Sequence, residues 1–373
     1  MGQLRPGILR IAEGWYVRSG LGVGYRTEAY LASSFPLPTE QANFEVDGSL
    51  FPTDELVAAV MDLRPGQVLV QGGRSLAFGA EGRGHPALSD WSAPPSYLAQ
   101  VEFTGDVISF TRPWHLFQQC GQAIAHDFKL LTEGRRTERL SAYNTVIGDT
   151  ELIFLEQGAV VEASILNTKS GPIYIGKDAE VMEGCMLRGP VAVGDHTQLK
   201  MGAKVYGPTT FGPECRVGGE VTNSVITGFS NKGHDGFLGN SVLGEWCNLG
   251  ADTNTSNLKN TYGNVQVYSA VKKGMVDTGV QFCGLLMGDH GKSGINTMFN
   301  TGTVVGVAAN VFGGGFPPKH IPGFAWGGAD GFEIYDIERA LRTAQRVMER
   351  RQIPMTVLDE ALLRHVFAVE QRK

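Results

Sequence analysis

Residues that can move a proton or hold an anion stand together at one point of this chain. The segment Ser230-Asn231-Lys232-Gly233-His234-Asp235-Gly236 is polar and interrupts a regular apolar repeat. A histidine imidazole can accept a proton near neutral pH, and a lysine ammonium can bind phosphate. Because loops that interrupt a rigid scaffold often carry function, this segment is the first candidate site. The alternative is a loop histidine bonded to backbone beside a solvated lysine.

An apolar residue at every sixth place predicts the scaffold that positions this segment. Six residues rotate a helix off any single face, and a strand would place apolar residues at every second position. A parallel β-helix instead turns a corner after about six residues and stacks one inward side chain per hexapeptide. The spacing is typical of the left-handed parallel β-helix. The repeat positions are Ile175, Val181, Leu187, Val193, Leu199, Val205, Phe211 and Val217.

The repeat changes phase after Val217. We interpret segment 230–236 as a polar insertion in the solenoid wall, since the apolar spacing shifts around it. Further turns are expected near Ile295 and beyond. The positions at which the repeat resumes are Val225, Phe237, Leu243, Leu249, Val305 and Val311.

Composition narrows the class of protein. The chain has 373 residues, a net charge of −6 and 50 glycines, which excludes a basic nucleic-acid-binding domain and favours a turn-rich solenoid. Five widely spaced cysteines without a CxxC pair indicate reduced thiols, and no basic leader or long apolar run is present. We therefore expect a cytoplasmic protein with no membrane or nucleic-acid partner.

Three domains are predicted. Lysine is absent before Lys129, and a charged stretch follows it, so we place a boundary near residue 135. The expected domains are a small, incomplete α/β domain (1–135), the β-helix (136–321) and a C-terminal helical extension (322–373). In the first, the patterns predict a helix over 54–63 capped by Thr53 and strands over 67–70 and 101–110. In the last, they predict a helix over 337–351 and a second one capped by Thr356.

The residues from Ser230 to about Gly313 resemble the acetyltransferase half of bifunctional sugar-1-phosphate nucleotidyltransferase/glucosamine-1-phosphate N-acetyltransferases. The motifs that carry the resemblance are Ser230-Asn231-Lys232-Gly233-His234, Val242-Leu243-Gly244-Glu245-Trp246-Cys247-Asn248-Leu249-Gly250-Ala251, Thr253-Asn254-Thr255-Ser256-Asn257-Leu258-Lys259 and Met287-Gly288-Asp289-His290-Gly291-Lys292-Ser293-Gly294-Ile295-Asn296. The whole chain is similar to a sugar nucleotidyltransferase-like group related to these enzymes. The resemblance implies acetyl transfer from acetyl-CoA to an amino-sugar 1-phosphate, UDP-N-acetylglucosamine biosynthesis and a homotrimer.

The same resemblance implies roles for individual residues. His234 occupies the place of the general base, which must remove a proton from the attacking amine, and Asn248 matches a catalytic asparagine. The substrate-binding candidates are Lys232, Asn257, Lys259 and Lys204, and the acetyl-CoA candidates are Lys292 and Asn296. For the asparagines the alternative is a corner residue in left-handed geometry, and for the lysines a surface charge.

Phe237 departs from the family, which has a tyrosine three residues after the base. The loss of that hydroxyl leaves the acceptor sugar open. We expect no metal at this site, because His196, His234 and His290 lack the close histidine pair of a γ-class carbonic anhydrase.

The N-terminal domain is expected to have reduced or lost nucleotidyl transfer. Gly22-Val23-Gly24-Tyr25-Arg26 imitates a glycine-rich phosphate loop, yet no lysine follows it for a hundred residues. The segment Arg112-Pro113-Trp114-His115-Leu116-Phe117 resembles the end of the family's catalytic domain. Mg²⁺ is implied only if nucleotidyl transfer is retained.

Two functions remain open on the sequence alone. The first is the acetyltransferase described above, and the second is a non-catalytic sugar-nucleotide-binding or scaffold protein that kept the solenoid. Phe237 and the incomplete N-terminal loop favour the second.

Overall fold

The protein is described by a computed structural model that covers residues 1–37, 43–80 and 90–372. It contains two compact units, one formed by Met1–Leu4 and Leu9–Arg112, and the other by Arg5–Ile8 and the chain from Pro113 onward. No helix in these described ranges is long and apolar enough to cross a membrane.

The first unit is a small α/β layer. Its sheet has the order β1-β3-β2-β4, in which only β2 and β4 run parallel. The Thr53 hydroxyl accepts a hydrogen bond from the Leu56 N–H and begins the second helix, as the sequence predicts. The predicted strand 101–110 is wrong beyond residue 102. The elements are α1 (Ile11–Ser19), β1 (Phe44–Val46), α2 (Asp54–Met61), β2 (Gln67–Gln71), β3 (Arg74–Gly79) and β4 (Ala99–Glu102).

The second unit is a parallel β-solenoid with three sheets, which confirms the predicted fold class. Sheet 1 consists of β6 (Ile153–Leu155), β9 (Ile173–Ile175), β12 (Val191–Val193), β15 (Thr209–Phe211), β18 (Val225–Gly228), β21 (Val242–Glu245), β26 (Leu286–Met287), β29 (Val304–Val305) and β31 (His320–Ile321).

Sheets 2 and 3 complete each coil. Sheet 2 consists of β7 (Val160–Val161), β10 (Glu180–Val181), β13 (Gln198–Leu199), β16 (Arg216–Val217), β19 (Asn231–Lys232), β22 (Asn248–Leu249), β27 (Lys292–Ser293), β30 (Asn310–Val311), β32 (Ala325–Gly328) and the antiparallel β33 (Gly331–Ile334). Sheet 3 consists of β5 (Thr145–Ile147), β8 (Ile165–Asn167), β11 (Met186–Arg188), β14 (Lys204–Tyr206), β17 (Glu220–Thr222) and β20 (Phe237–Gly239), and the pair β23 (Asn254–Thr255) and β28 (Met298–Phe299) follows it.

Stacked inward side chains form the solenoid core. All eight repeat positions predicted from the sequence are at most 2% exposed, so this part of the prediction is confirmed. Glycine is required at the tight corners. At Gly212, for example, a Cβ atom would lie 1.8 Å from the Thr227 carbonyl oxygen.

The phase change after Val217 has a different cause from the predicted insertion. Val217 pairs with Lys232, and Val221 pairs with Leu238. The step from Val217 to Val221 is therefore two residues short, whereas the step from Lys232 to Leu238 has the normal six. Segment 230–236 is an ordinary corner in which a lysine replaces the inward apolar residue, and the interpretation as an insertion is wrong.

Three other predicted repeat positions are wrong, two of them for the same reason. Ile226 and Leu238 form the core rungs in place of Val225 and Phe237, because the shortened steps move the register by one residue. Ile295 is 70% exposed at a corner, and Ser293 takes the inward place.

Helices pack along the solenoid. The helix α3 (His115–Thr132), which the sequence patterns did not predict, lies on the outer side of sheet 1, where the Cys120 sulfur is 3.3 Å from the Thr210 hydroxyl. The C-terminal helices α4 (Ile337–Glu349) and α5 (Val357–Glu370) were predicted, including the Thr356 cap. They cover an apolar cluster that includes Phe324. The division at residue 135 stays a prediction.

Candidate functional site

His234 lies at the corner between sheets 2 and 3, two residues after β19 and three before β20. Its side chain is exposed and forms no hydrogen bond to any residue that the structure describes. From the pairing of Asn231 with Asn248 and of Asn248 with Lys292, the same corner position on the next two coils belongs to Ala251 and Ile295. The imidazole thus faces solvent beside a small residue and an exposed apolar residue.

Lys232 points into the solenoid instead of toward solvent. The residue is 2% exposed, and its Nζ donates to the Gly218 carbonyl at 2.9 Å and to the His234 carbonyl at 2.7 Å. Burial lowers the pKa of this ammonium to about 8, although the carboxylates of Asp235 and Asp252 act in the opposite direction. The lysine that was expected to bind substrate phosphate is therefore engaged with backbone.

Asn248 and Lys292 lie in one outward row of sheet 2. The Asn231 side chain donates to the Asn248 Oδ1 at 3.3 Å, and Asn248 pairs with Lys292 on the following coil. The Lys292 Nζ donates to the His290 carbonyl at 2.9 Å, and burial lowers its pKa. Asn248 lies within a strand of sheet 2, whereas His234 lies on the corner that follows the preceding strand of that sheet. The two side chains are therefore not in one row.

Asn296 lies on the same corner as His234, in the neighbouring column that it shares with Asp235 and Asp252. Its N–H donates to the Ala251 carbonyl at 2.8 Å, and its φ of 59° is left-handed. Asparagine tolerates this conformation better than most residues, so the corner geometry alone accounts for its type. The structure brings Asn296 to the same edge of the solenoid as His234, two coils away, which corresponds to about 10 Å of strand spacing.

The remaining substrate candidates lie elsewhere on sheet 3 and beyond it. The Asn257 Nδ2 donates to the Asn240 Oδ1 at 2.8 Å, at the end of the sheet opposite the His234 corner. Lys259 bonds to the Asn264 carbonyl. Lys204 is exposed on the outer face of β14 and lines a groove of about 210 Å³. Within one chain, these residues do not converge on His234.

A long excursion between β23 and β26 was missed by the sequence patterns. It contains the hairpin of β24 (Gln266–Ser269) and β25 (Gly274–Asp277), and its Tyr268 ring stacks on His320 with centroids 3.5 Å apart. Burial and the neighbouring charge of Lys259 lower the pKa of Lys319. The absence of hexapeptide spacing between Thr255 and Met287 is the signal that could have located this excursion.

An aromatic column occupies the corner between sheets 1 and 2. Phe229 stacks on Trp246 with centroids 4.3 Å apart, and Trp246 stacks on His290 at 6.3 Å. The His290 Nδ1 is buried and has no hydrogen-bond partner in the described part of the chain. Burial, assisted by the Lys292 charge, lowers the pKa of His290 to about 3, and burial raises the pKa of Asp289 to about 6.

The loop that imitates a phosphate-binding loop lies in the first unit. The Arg26 Nε is 3.0 Å from the Glu45 carboxylate, and the Tyr25 hydroxyl accepts a hydrogen bond of 2.5 Å from Gln3. Tyr25 borders an open cavity of about 250 Å³ whose other lining residues are Gln3, Arg10, Ala12, Glu13, Tyr16 and Val23. The described residues bring no three His, Cys, Asp or Glu side chains together as metal ligands.

Parts of this chain are similar to known proteins. Residues 1–136 match the family described as sugar nucleotidyl transferase. The bifunctional protein GlmU of Methanocaldococcus jannaschii is 36% identical over 87 residues, and that of Methanococcus aeolicus is 33% identical over 87 residues.

These alignments cover 23% of this chain and 21% and 20% of the two GlmU proteins, so the chain matches about a fifth of their length. The sequence resemblance to the GlmU-like nucleotidyltransferase/acetyltransferases is thereby confirmed. A solved structure, the polysialic-acid-specific acetyltransferase NeuO, superposes with a TM-score of 0.30 at 10% identity and covers 55% of this chain and 94% of NeuO.

Proposed function

We propose that the solenoid transfers an acetyl group from acetyl-CoA to the amine of an amino-sugar 1-phosphate, with His234 as the general base. The observation that carries the proposal is the exposed imidazole of His234, to which no residue of the described ranges donates or accepts a hydrogen bond, on a corner whose backbone is held from inside. The motifs shared with the bifunctional enzymes and the kinship with GlmU support the substrate class.

The reaction needs one proton acceptor and one anion site. The amine nitrogen attacks the thioester carbonyl carbon while the neutral imidazole of His234 takes a proton from the nitrogen. The tetrahedral intermediate then collapses, the C–S bond breaks, and the coenzyme A thiolate takes up the proton held by the His234 imidazolium and leaves as the thiol. We assign Asn248 to the acetyl or sugar group and Asn257, Lys259 and Lys204 to the sugar phosphate.

A homotrimer would account for the spread of these residues. Asn248 lies on sheet 2, whereas Lys204 lies on sheet 3 and Asn257 lies beyond it, and a second solenoid that supplies part of the site would explain this separation. Exposed apolar side chains on the outer face of sheet 3, including Ile165, Met186 and Tyr206, support contact between copies. We place acetyl-CoA between adjacent solenoids, near Lys292 and Asn296.

We also propose that nucleotidyl transfer by the N-terminal domain is reduced. No lysine precedes Lys129, and Arg26 of the glycine-rich loop is paired with Glu45, so the loop lacks the lysine that would bind a triphosphate and its own arginine is already engaged. The five cysteines are buried and free, which supports a reducing, cytoplasmic setting.

The test is release of free thiol from acetyl-CoA in the presence of glucosamine 1-phosphate. We expect release by the wild type and a loss of about 100-fold or more in H234A, since a positioned base contributes on that scale. H196A is the matched control, because His196 is also an exposed corner histidine, and its activity should stay within about twofold. Equal release from H234A would remove His234 from the mechanism.

Absence of thiol release from the wild type would favour the non-catalytic scaffold over this acetyltransferase. A parallel assay follows pyrophosphate release from UTP or dTTP with a sugar 1-phosphate. Little or none is expected, and rapid release would show an active N-terminal domain.

A further inference from the structure

A lysine occupies one rung of the solenoid core. In sheet 2, Lys232 stands at the inward position directly between Val217 and Leu249, and each of the three is at most 2% exposed. An apolar side chain would fill this rung without electrostatic cost, whereas a buried ammonium loses most of its hydration. A rung that served packing alone has no need of the charge.

Two carbonyl oxygens compensate for this desolvation, and both belong to corners. The Lys232 Nζ donates to Gly218 on one coil and to His234 on its own coil, at 2.9 and 2.7 Å. Room for the ammonium depends on Gly219, where a Cβ atom would lie 2.7 Å from the Nζ. The ammonium thus ties two successive corners together.

The corner that carries His234 is rich in glycine. Gly233 precedes His234, and Gly236, with a φ of 112°, follows two residues later. Glycines leave the backbone many alternative conformations, so a fixed direction for the imidazole needs an added constraint. The bond from Lys232 supplies it at the carbonyl of His234 itself, on the side away from solvent.

We propose that Lys232 is a positioning residue whose ammonium fixes the backbone of the His234 corner, and with it the direction of the imidazole, and that it does not bind substrate phosphate. The inference deepens the proposed function and rests on it for its catalytic consequence. Its structural part is the hydrogen bonding by which the Lys232 ammonium fixes the corner, which we call the clamp. The clamp does not depend on any activity.

The clamp is tested without substrate in K232M, which restores an apolar rung of similar length. L249M is the matched control, because Leu249 is the next rung of the same sheet. Hydrogen–deuterium exchange is followed at the N–H groups of Glu220 and Asp252, which donate to Gly236 and Asp235. We expect exchange there to be at least about tenfold faster in K232M and unchanged in L249M. Unchanged exchange in K232M would overturn the clamp.

The catalytic consequence is tested by the split between kcat and KM. A misplaced base should lower kcat by roughly 10- to 100-fold in K232M, while the KM for glucosamine 1-phosphate stays within about twofold. A phosphate ligand would instead show a raised KM, and that result would overturn the proposal. K232Q, which keeps a donor without charge, should recover part of kcat and serves as the folded variant if K232M does not fold.

The two possible failures can be distinguished. If the wild type releases no thiol, the proposed acetyltransferase fails, yet the exchange data still decide whether Lys232 holds the corner. If the wild type is active and K232M matches it in both exchange and kcat, only the role of Lys232 fails.

Discussion

The guanidinium of Arg351 donates a hydrogen bond of 3.0 Å to the side-chain oxygen of Asn231, 120 residues earlier in the chain. The same side chain lies 3.5 Å from the carboxylate of Glu214, which also pairs with Arg216. Arg351 follows α4, so this contact fastens the C-terminal segment to the coil that carries Lys232 and His234. Asn231 in turn donates to Asn248, which links the C-terminal segment to the outward row of sheet 2 that holds Asn248.

Replacement of Arg351 by methionine should loosen this attachment. Methionine keeps the aliphatic stem but leaves the Asn231 oxygen without its donor, and we expect a loss of about 1–2 kcal/mol in the free energy of unfolding. Urea unfolding followed by circular dichroism measures it. R350M is the control, because Arg350 is the exposed neighbour, and it should change little. An equal loss in both variants would mean that the contact does not contribute.

A buried carboxylate, that of Glu156, forms an ion pair with Arg135 at the N-terminal end of the solenoid. Glu156 is 5% exposed, and it accepts hydrogen bonds from Arg135 at 2.9 and 2.6 Å and from the Tyr174 hydroxyl at 2.6 Å. Burial alone would raise the pKa of Glu156, but the bonds from Arg135 and Tyr174 outweigh it and lower the pKa. Arg135 also lies over the Phe154 ring, which stacks on Tyr174.

R135M should destabilise the protein by roughly 2–3 kcal/mol at pH 7, because it leaves a buried carboxylate short of its charged donor. Since the pKa of Glu156 is lowered in the folded state, its contribution is present above the unfolded value and is lost as the pH falls through the folded value. The difference between R135M and the wild type should therefore shrink in acid.

Urea unfolding at pH 7 and in acid measures this difference. R136M, at the exposed neighbouring arginine, is the control and should match the wild type at both pH values. A difference for R135M that persists unchanged in acid would show that the ion pair is not its cause.

The period of six was sufficient to predict the solenoid, because burial of one side chain per hexapeptide leaves a direct trace in the sequence. The same rule misplaced the register after Val217. A corner can lose two residues without breaking the sheet pairing, and a lysine can take an inward place, as Lys232 does. Neither event is visible when only apolar residues are counted.

The candidate site shows the same limit. Sequence motifs located the His234 corner, but they could not show that Lys232 points inward, since its partners are carbonyl oxygens that every sequence has. The helix α3 was missed although its apolar residues carried the signal, because Leu116, Phe117, Cys120, Ile124 and Phe128 recur at helical spacing and are all buried.

His290 gives a prediction for acid stability. Its imidazole is buried against Trp246, and burial with the nearby charge of Lys292 lowers its pKa from 6.5 to about 3, against the opposing effect of Asp359 on α5. The unfolded chain takes up a proton below pH 6.5 and the folded protein does not. The contribution of His290 to the free energy of unfolding therefore falls as the pH drops from 6.5 toward 3.

H290F removes this proton while it keeps an aromatic ring on Trp246. Phenylalanine is compatible with the left-handed corner, since Phe229 and Phe324 adopt it in the same column. Asp289, whose pKa is raised to about 6, gains a proton on folding and acts in the opposite direction, but it is present in both proteins. Relative to the wild type, H290F should gain stability by up to about 1.4 kcal/mol per pH unit between pH 6 and 4.

Urea unfolding of both proteins at several pH values between 7 and 4 measures this gain. H196F is the matched control, because His196 occupies the same corner position but is exposed beside Asp178. The His196 side chain is half exposed, so H196F removes no buried group and should follow the wild type across the range. If the difference in the free energy of unfolding between H290F and the wild type did not change with pH, His290 would have to become protonated within the folded protein, and the prediction would be wrong.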